Sequence, residues 1–470
     1  MRGLLTRLLK QHIGPFILRR QPRRTDLPLR TWGLSIGANG SLWAGAVDLL
    51  TVADDHGTPV HVVRAALLDE AATSALAPHR AGEGADIFYS YKTNPVPAVL
   101  RRLHERGIGA EVISPFELWL AIELGVPGER IIYNGPAKSP DSIRQAIDHD
   151  VHLVNANSAT EATLIARLAA ERKHVVNLGI RIALPGMWGG QFGIAAGSPH
   201  VDITVRRALD EPFVALCGLH FHRGLTIRDD ATMRAFVADV LAFCDGLRAR
   251  TGWHPAMLDL GGSLACPTVA PIPMRQFRLN RALGADLLAP DPAATMTIAE
   301  ASVLAARATA EHFTSLGLDV PRVVLEPGRG LTSGTQLLLA RVVDVKDDGP
   351  LVHAVLDAGI NVAEPVRGEF HQLFSVSAPG APATTPYRLA GPICTPADVL
   401  YHNWRLPELA PGHVLAVMDA GAYFVPFSTT FSFPKPAIVM EEEGHVVVCR
   451  RAEPFADVVA LDESFNRQGG

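Results

Sequence analysis

The sequence predicts an α/β chain, a (β/α)8 TIM-like barrel followed by an all-β domain. Short, continuously apolar runs alternate with amphipathic stretches from about residue 58 to residue 335, at the unit count and length of such a barrel. Chemically demanding polar residues sit where those runs end. After Gly334 helical periodicity nearly vanishes and strand-like segments follow. An open, doubly wound sheet is the competing arrangement, and the number of units and the polar strand ends favour the barrel. The expected divisions are an N-terminal segment 1–57, able to add a strand to the β domain, a barrel 58–335 and a β-barrel or sandwich 336–470.

The apolar runs are, in order, PVHVV, DIFYSYK, GAEVIS, IIYNG, VHLVNAN, VNLGIRI, ALCGLHFH, MLDLGG and RVVLEPG. Apolar runs without alternation suit strands covered on both faces. Between them lie helix-period stretches. In PFELWLAIELG, Phe116, Leu118, Leu120, Ala121, Ile122 and Leu124 give a buried face and Gly125 a stop. Residues 264–300 form a long Pro- and Ala-rich connection, a candidate lid or moving segment. Beyond 335, QLLLARVVDVKDD, LVHAVLDAG, HVLAVMDAGAY, PAIVMEEEG and HVVVCRRAE read as strands separated by turn signals.

Lys and Arg number 43 against 48 Asp and Glu, a net charge of −5, which gives no support for nucleic-acid binding. Five scattered cysteines without a CxxC pair indicate a reducing compartment and no disulfide framework. No run approaches the ~20 apolar residues of a membrane span. The basic start, MRGLLTRLLKQHIGPFILRRQPRR, has arginines where a secretory leader needs a continuous apolar stretch. It reads as a helix or loose arm, and the expected location is the cytoplasm.

Chemistry is concentrated at the strand ends: Lys92, Glu111, Asn134, Arg181, His222, Gly261-Gly262 and Glu326-x-Gly328-Arg329. Strand alternation puts Phe88, Ser90 and Lys92 on one face. A lysine at a barrel mouth is partly desolvated, which frees its amine as a nucleophile. His220 and His222 share a face but lack a third residue at a metal-ligand spacing, so no metal is expected; a flat imidazole also stacks on a ring. The turn after LDLGGS exposes successive N–H groups to a phosphate. In LEPGRG an acid and an arginine flank a Pro-Gly turn. Amine, ring stacker, phosphate turn and acid together outline pyridoxal 5′-phosphate.

With these residues in hand, residues 58–460 resemble the fold-type III decarboxylases of the diaminopimelate and ornithine decarboxylase family, whose barrel is alanine racemase-like. The motifs, in family order, are YSYKTNP, GAEVISPFEL, IIYNGPAKS, QFGI, GLHFHRG, DLGGS, EPGRGL, GPICTPADVL and GAYFVPFSTTF. The resemblance implies decarboxylation of an amino acid through a Lys92 aldimine and a quinonoid. His222 would stack on the pyridine. Gly261, Gly262, Ser263, Gly328, Arg329 and Tyr423 would hold the phosphate end. Glu326 would pair with the ring nitrogen, and Glu111 and Arg181 would complete the cofactor site. Cys394, from the other subunit of a head-to-tail homodimer with shared sites, would protonate the product. Racemases of this fold place an arginine at the ring nitrogen, so Glu326 favours decarboxylation over an amino-acid racemase or epimerase. A non-catalytic pyridoxal phosphate-binding protein is the third reading, disfavoured by the β domain.

The departures concern substrate. Family members place an acid after the cysteine to meet a distal ammonium; here Thr395 and Pro396 follow Cys394. Pro365 stands where an arginine would align and Glu369 where a tyrosine would, with Arg367 out of register. Leu225 replaces the serine after the HxHxG motif, and Ser263 replaces a third glycine. Thr395, Arg367 and Asp398 are the candidate substrate contacts. The expected substrate is a modified or larger amino acid, an intermediate of siderophore or other secondary metabolism.

Overall fold

The computed structural model describes residues 14–347, 349 and 351–463. Thirteen residues of the basic N-terminal stretch therefore lie outside the described residues. The chain divides into two compact units, one of residues 68–265 and 293–332, the other of 1–67, 266–292 and 333–470.

The first unit is a closed parallel barrel. Its strands are β1 Asp86–Ser90, β2 Gly109–Val112, β3 Ile131–Tyr133, β4 Leu153–Ala156, β5 Val176–Ala183, β6 Val214–Phe221, β7 Met257–Asp259 and β8 Arg322–Leu325. Each pairs with the next, and β8 closes on β1 through Val324 opposite Asp86 and Leu325 opposite Ile87. Helices follow the strands, and the sequence marks their starts. Ser114, Ser139, Ser158, Asp229 and Thr297 each accept the backbone N–H three residues on, which satisfies a donor the helix leaves unpaired. Pro115 and Pro140 occupy the first helical position, where a missing N–H costs nothing.

The helix Pro115–Glu123 buries Leu118, Leu120 and Ala121, and Gly125 at φ +76° ends it as expected. Phe116 does not join that face: it is 58% exposed and stacks on Trp119. At the first turn, the 3.6-residue repeat sets Phe116 beside Trp119 and off the Leu118 stripe.

Inside the barrel, Phe88, Ile132, Leu153, Met257 and Val324 form one apolar layer. Toward the C-terminal strand ends the next layer is polar: Ser90, Glu111, Asn155, His220 and Asp259 are all buried there. Ser90 is level with Glu111, and His220 with Asp259. An apolar plug below a polar floor is how such a barrel is closed at one end and reactive at the other.

The second unit is β-rich. Gln336–Lys346 is its longest strand, pairing with Val352–Leu356, Val414–Val417 and Val60–Arg64. The run PVHVV, expected in the barrel, is this last strand: it lies antiparallel to Gln336–Lys346 and parallel to Ala437–Glu442. An apolar run reports only that both faces are covered, which is equally true of either sheet. The N-terminal segment adds a three-stranded sheet of Leu34–Ile36, Leu42–Ala44 and Val47–Asp48 and the helix Leu49–His56. The long Pro- and Ala-rich connection carries regular structure. Ala270–Pro271 pairs with Glu369–Phe370, and Met274–Leu283 is a helix whose Asn280 donates to the Ala285 and Asn403 carbonyls.

Candidate active site

The site grows from the polar floor of the barrel. β1 ends at Ser90, and Lys92 sits two residues beyond it in the short turn Tyr91–Thr93, not on the strand itself. The turn lifts the side chain off the strand line and leaves it 32% exposed, with Nζ 3.4 Å from Glu111 Oε2. The same Glu111 oxygen accepts the Ser90 hydroxyl at 2.5 Å. The turn is fixed from the β8 side. Ser90 N donates to Pro327 O, and a Cβ on Gly328 would lie 2.0 Å from Thr93 Oγ1, so only glycine lets the two segments approach.

Below Lys92 lie three buried carboxyl groups, Glu111, Asp259 and Glu326, linked by two asparagines. Asn134 Nδ2 donates to Glu111 Oε1 at 2.9 Å and to Glu326 Oε1 at 2.5 Å. Asn155 Nδ2 donates to Asn134 Oδ1 at 2.8 Å and to Asp259 Oδ2 at 3.3 Å. Asp259 and Glu326 also hydrogen-bond each other. Burial first, then the neighbouring carboxylates, holds Glu326 far above the usual carboxyl range, and burial pushes Asp259 up to about 7. The pair therefore shares a proton at neutral pH. Arg181, buried at the end of β5, faces all three acids.

The turn after β7 carries Gly261, Gly262 and Ser263. Gly261 N donates to Asp259 Oδ1 at 2.9 Å, so this amide is committed to the floor rather than free for a phosphate. Gly262 N points at His222 Nδ1, 3.4 Å away, and Ser263 Oγ lies 3.3 Å from His222 Nε2. A Cβ on Gly262 would meet Glu326 O at 2.5 Å. Ser263 has φ +68°, a conformation glycine adopts freely. Burial, with Lys92 and Arg181 nearby, lowers His222 to about 3, so its ring is a neutral imidazole. His220, fully buried and likewise neutral, lies 3.7 Å from Glu326 Oε2, and its Nδ1 makes no hydrogen bond. Ligand atoms of His220, His222 and Glu326 come within 4.8 Å of one another, supplying the third donor that sequence spacing did not show. Two cations beside them, Lys92 and Arg181, make this a poor setting for a dication.

Lys92, Glu111, Arg181, His222, Gly261, Gly262, Ser263, Glu326, Gly328 and Arg329 all belong to this barrel unit. Cys394, Thr395, Asp398, Arg367 and Tyr423 belong to the β-rich unit. Cys394 is exposed at the tip of the loop 391–398. Asp398, expected at the substrate, is buried with Oδ1 accepting from Ile360 N at 2.8 Å and Oδ2 from Ile393 N at 2.7 Å. A Cβ on Gly359 or Gly391 would strike that carboxylate at 2.4 Å. Asp398 thus shapes the cysteine loop, and its acceptors are spent on backbone. Arg367 is exposed in the turn Glu364–Arg367, 3.5 Å from Glu364, and Tyr423, at φ +68°, stacks on Phe427. Asp259 and Asn155 were not singled out from the sequence. Their signal was present, since each is the polar residue of a strand end, in LDLGG and VHLVNAN.

Comparison with known proteins decides the family. The model described as "Pyridoxal-dependent decarboxylase, pyridoxal binding domain" matches residues 70–333, more than half of the chain. The chain belongs to the pyridoxal-dependent decarboxylases. It is 28% identical to the diaminopimelate decarboxylase of Methanothermobacter thermautotrophicus and 26% identical to that of Bacillus subtilis, in each case over 91% of this chain and 96% of the relative. A crystal structure of diaminopimelate decarboxylase from M. jannaschii superposes with a TM-score of 0.79 at 24% identity, covering 91% of this chain and 97% of that one. This pyridoxal-dependent carboxy-lyase accordingly uses pyridoxal phosphate.

The floor fits that coenzyme. The Asp259–Glu326 pair holds a proton at the floor, which suits a basic ring nitrogen that accepts it and is then paired with the carboxylate. A neutral imidazole presents a flat ring face, and the glycine cradle of Gly262 and Gly328 has no room for a Cβ. Among the described residues no helix is long and apolar enough to cross a membrane.

Proposed function

We propose that this decarboxylase removes the α-carboxylate of an amino acid that is modified or larger than the substrates of its relatives, with Lys92 holding the coenzyme. Pyridoxal phosphate, when bound, supplies the electron sink for the bond that breaks. The protein's share is placement and proton control. Lys92 stands at the rim with its amine beside Glu111 Oε2, a partner that orients it. Glu326 holds a proton at its carboxyl and would meet the ring nitrogen, and Asn134 and Asp259 fix that carboxyl in place. His222 would cover one ring face as a neutral stacker, and Gly262 and Arg329 would serve the phosphate end. Cys394, contributed by a second copy of the chain in a homodimer, protonates the α-carbon as a general acid. Its exposure on a loop clamped by Asp398 supports that role. The observation that carries the reading is the buried acid pair Asp259–Glu326 below a rim lysine.

The substrate argument rests on Thr395. A neutral side chain after Cys394 offers no charge-assisted bond to a distal ammonium, a loss of about 1.5–3 kcal/mol. Pro365 and Glu369 likewise supply no cation for a distal carboxylate. These replacements argue against diaminopimelate, the substrate in the relatives' names, and for an intermediate of siderophore or other secondary metabolism. The relatives' decarboxylase activity does not favour the racemase or non-catalytic readings. Purified protein offered diaminopimelate, ornithine, lysine and arginine should release little CO2, while a wider amino-acid panel followed by mass spectrometry should reveal one that loses it. Brisk turnover of diaminopimelate would overturn the substrate assignment and leave the decarboxylase standing.

A further inference from the structure

The loop between β5 and the helix His200–Asp210 carries two aromatic residues that the chemistry above does not use. Trp188 is 48% exposed, yet it is not loose. Its indole lies 5.4 Å from the His222 ring at 39°, and its other neighbour, Phe192, is stacked at 5.8 Å and 17°. Phe192 in turn lies under the Arg181 guanidinium at 4.6 Å. Arg181, Phe192, Trp188 and His222 thus form one ladder that begins and ends on residues of the coenzyme site.

The loop is pinned on both sides of the ladder. Trp188 N donates to Arg223 O. Asn157 Nδ2 donates to Gln191 O at 2.8 Å, while Gly193 N donates back to Asn157 Oδ1 at 2.9 Å. Ile194–Ala195 then pairs with Ile182–Ala183 of β5. The turn after His222 is cut to receive the indole: Gly224 has φ +75°, and a Cβ there would lie 2.1 Å from the Trp188 ring.

His222 needs such a support. Its two polar contacts, at 3.4 and 3.3 Å, lie beyond the usual hydrogen-bond distances and restrain the ring weakly. A ring contact of the Trp188 kind contributes orientation as well as attraction. We infer that Trp188 is a positioning residue of the coenzyme site: its indole, seated in the space left by Gly224, sets the plane of the His222 imidazole. This rests on the reading above that His222 faces the coenzyme ring.

The test is coenzyme titration of the stripped protein, read by visible absorbance and visible circular dichroism, which reports the tilt of the bound ring. Trp188→Ala should weaken pyridoxal phosphate binding roughly tenfold and alter the dichroic band, and Trp188→Phe should restore both. Gly224→Ala, which displaces the indole without removing it, should copy Trp188→Ala. In the double variant the second substitution should add little, because both act on one contact. His222→Ala should weaken binding at least as much. Wild-type affinity and dichroism in Trp188→Ala, with loss in His222→Ala, would overturn the inference alone. Wild-type affinity in His222→Ala would overturn the reading of the site and the inference together. Fully additive losses in the double variant would also overturn the inference.

Discussion

Glu326 shows how much of the proposed chemistry rests on a few atoms. Its carboxyl is buried beside two others, accepts from Asn134 at 2.5 Å and shares a proton with Asp259. A group so placed keeps its proton at neutral pH until a cation arrives to balance it. Glu326→Gln preserves the shape and removes the acid. It should lower kcat by about 100-fold or more while the coenzyme remains detectable in the visible spectrum, and near-normal turnover would remove Glu326 from the chemistry. Lys92→Ala is the sharper substitution, because the neighbouring lysine of the site, Lys138, has its amine buried against the Gly135 and Asn155 carbonyls and Glu161. Borohydride treatment should fix coenzyme to the native protein and to none of the Lys92→Ala chain, and mass spectrometry distinguishes the two.

Strands and turns matter through close approach. The Pro327-Gly328 turn and the Lys92 turn touch where a methyl group would lie 2.0 Å from Thr93 Oγ1. Gly328→Ala should therefore push the two turns apart at a cost of about 1–3 kcal/mol, and weaken coenzyme binding more than it lowers Tm. The opposite is expected in the apolar layer beneath. Leu153, on β4, packs with Phe88, Ile132, Met257 and Val324. Leu153→Ala opens a cavity there and should cost about 2–5 kcal/mol by denaturant titration, with most of the activity retained by the folded fraction. The two substitutions separate what builds the barrel from what arms it.

For the molecule as a whole, the buried acids make stability depend on pH. In the folded chain Asp259 titrates at about 7, against 3.8 as its ordinary value, so the folded state binds this proton more tightly than the unfolded chain. Its contribution to stability is fully present below about 3.8, shrinks as pH rises and is lost through about 7, and Glu326 extends the loss upward. The coenzyme-free protein should melt at a higher temperature at pH 5.5 than at pH 8, and Asp259→Asn should flatten the difference. Parallel profiles for the two proteins would contradict the assignment. Assembly has its own test. If each site takes Cys394 from a second copy, mixing inactive Lys92→Ala and Cys394→Ala chains should restore activity, up to about a quarter of wild type on statistical pairing. No recovery would mean that the sites are not shared.

Eight of the nine apolar runs became barrel strands, and every barrel residue assigned to the coenzyme lies in one unit, because both signals are local. A buried parallel strand must be apolar, and a reactive side chain must stand where the strand stops. The sequence by itself therefore determined the barrel, the β-rich unit and the coenzyme. Tertiary structure alone decided the rest. It placed PVHVV in the β-rich sheet, since an apolar run does not name its partner. It turned Asp398 inward, where two backbone amides take its charge. It brought Asn155 to Asp259 and Asn134 to Glu326 from strands distant in the chain, and set Trp188 against His222. Such contacts depend on which strand ends become neighbours when the barrel closes, a relation that exists only in three dimensions.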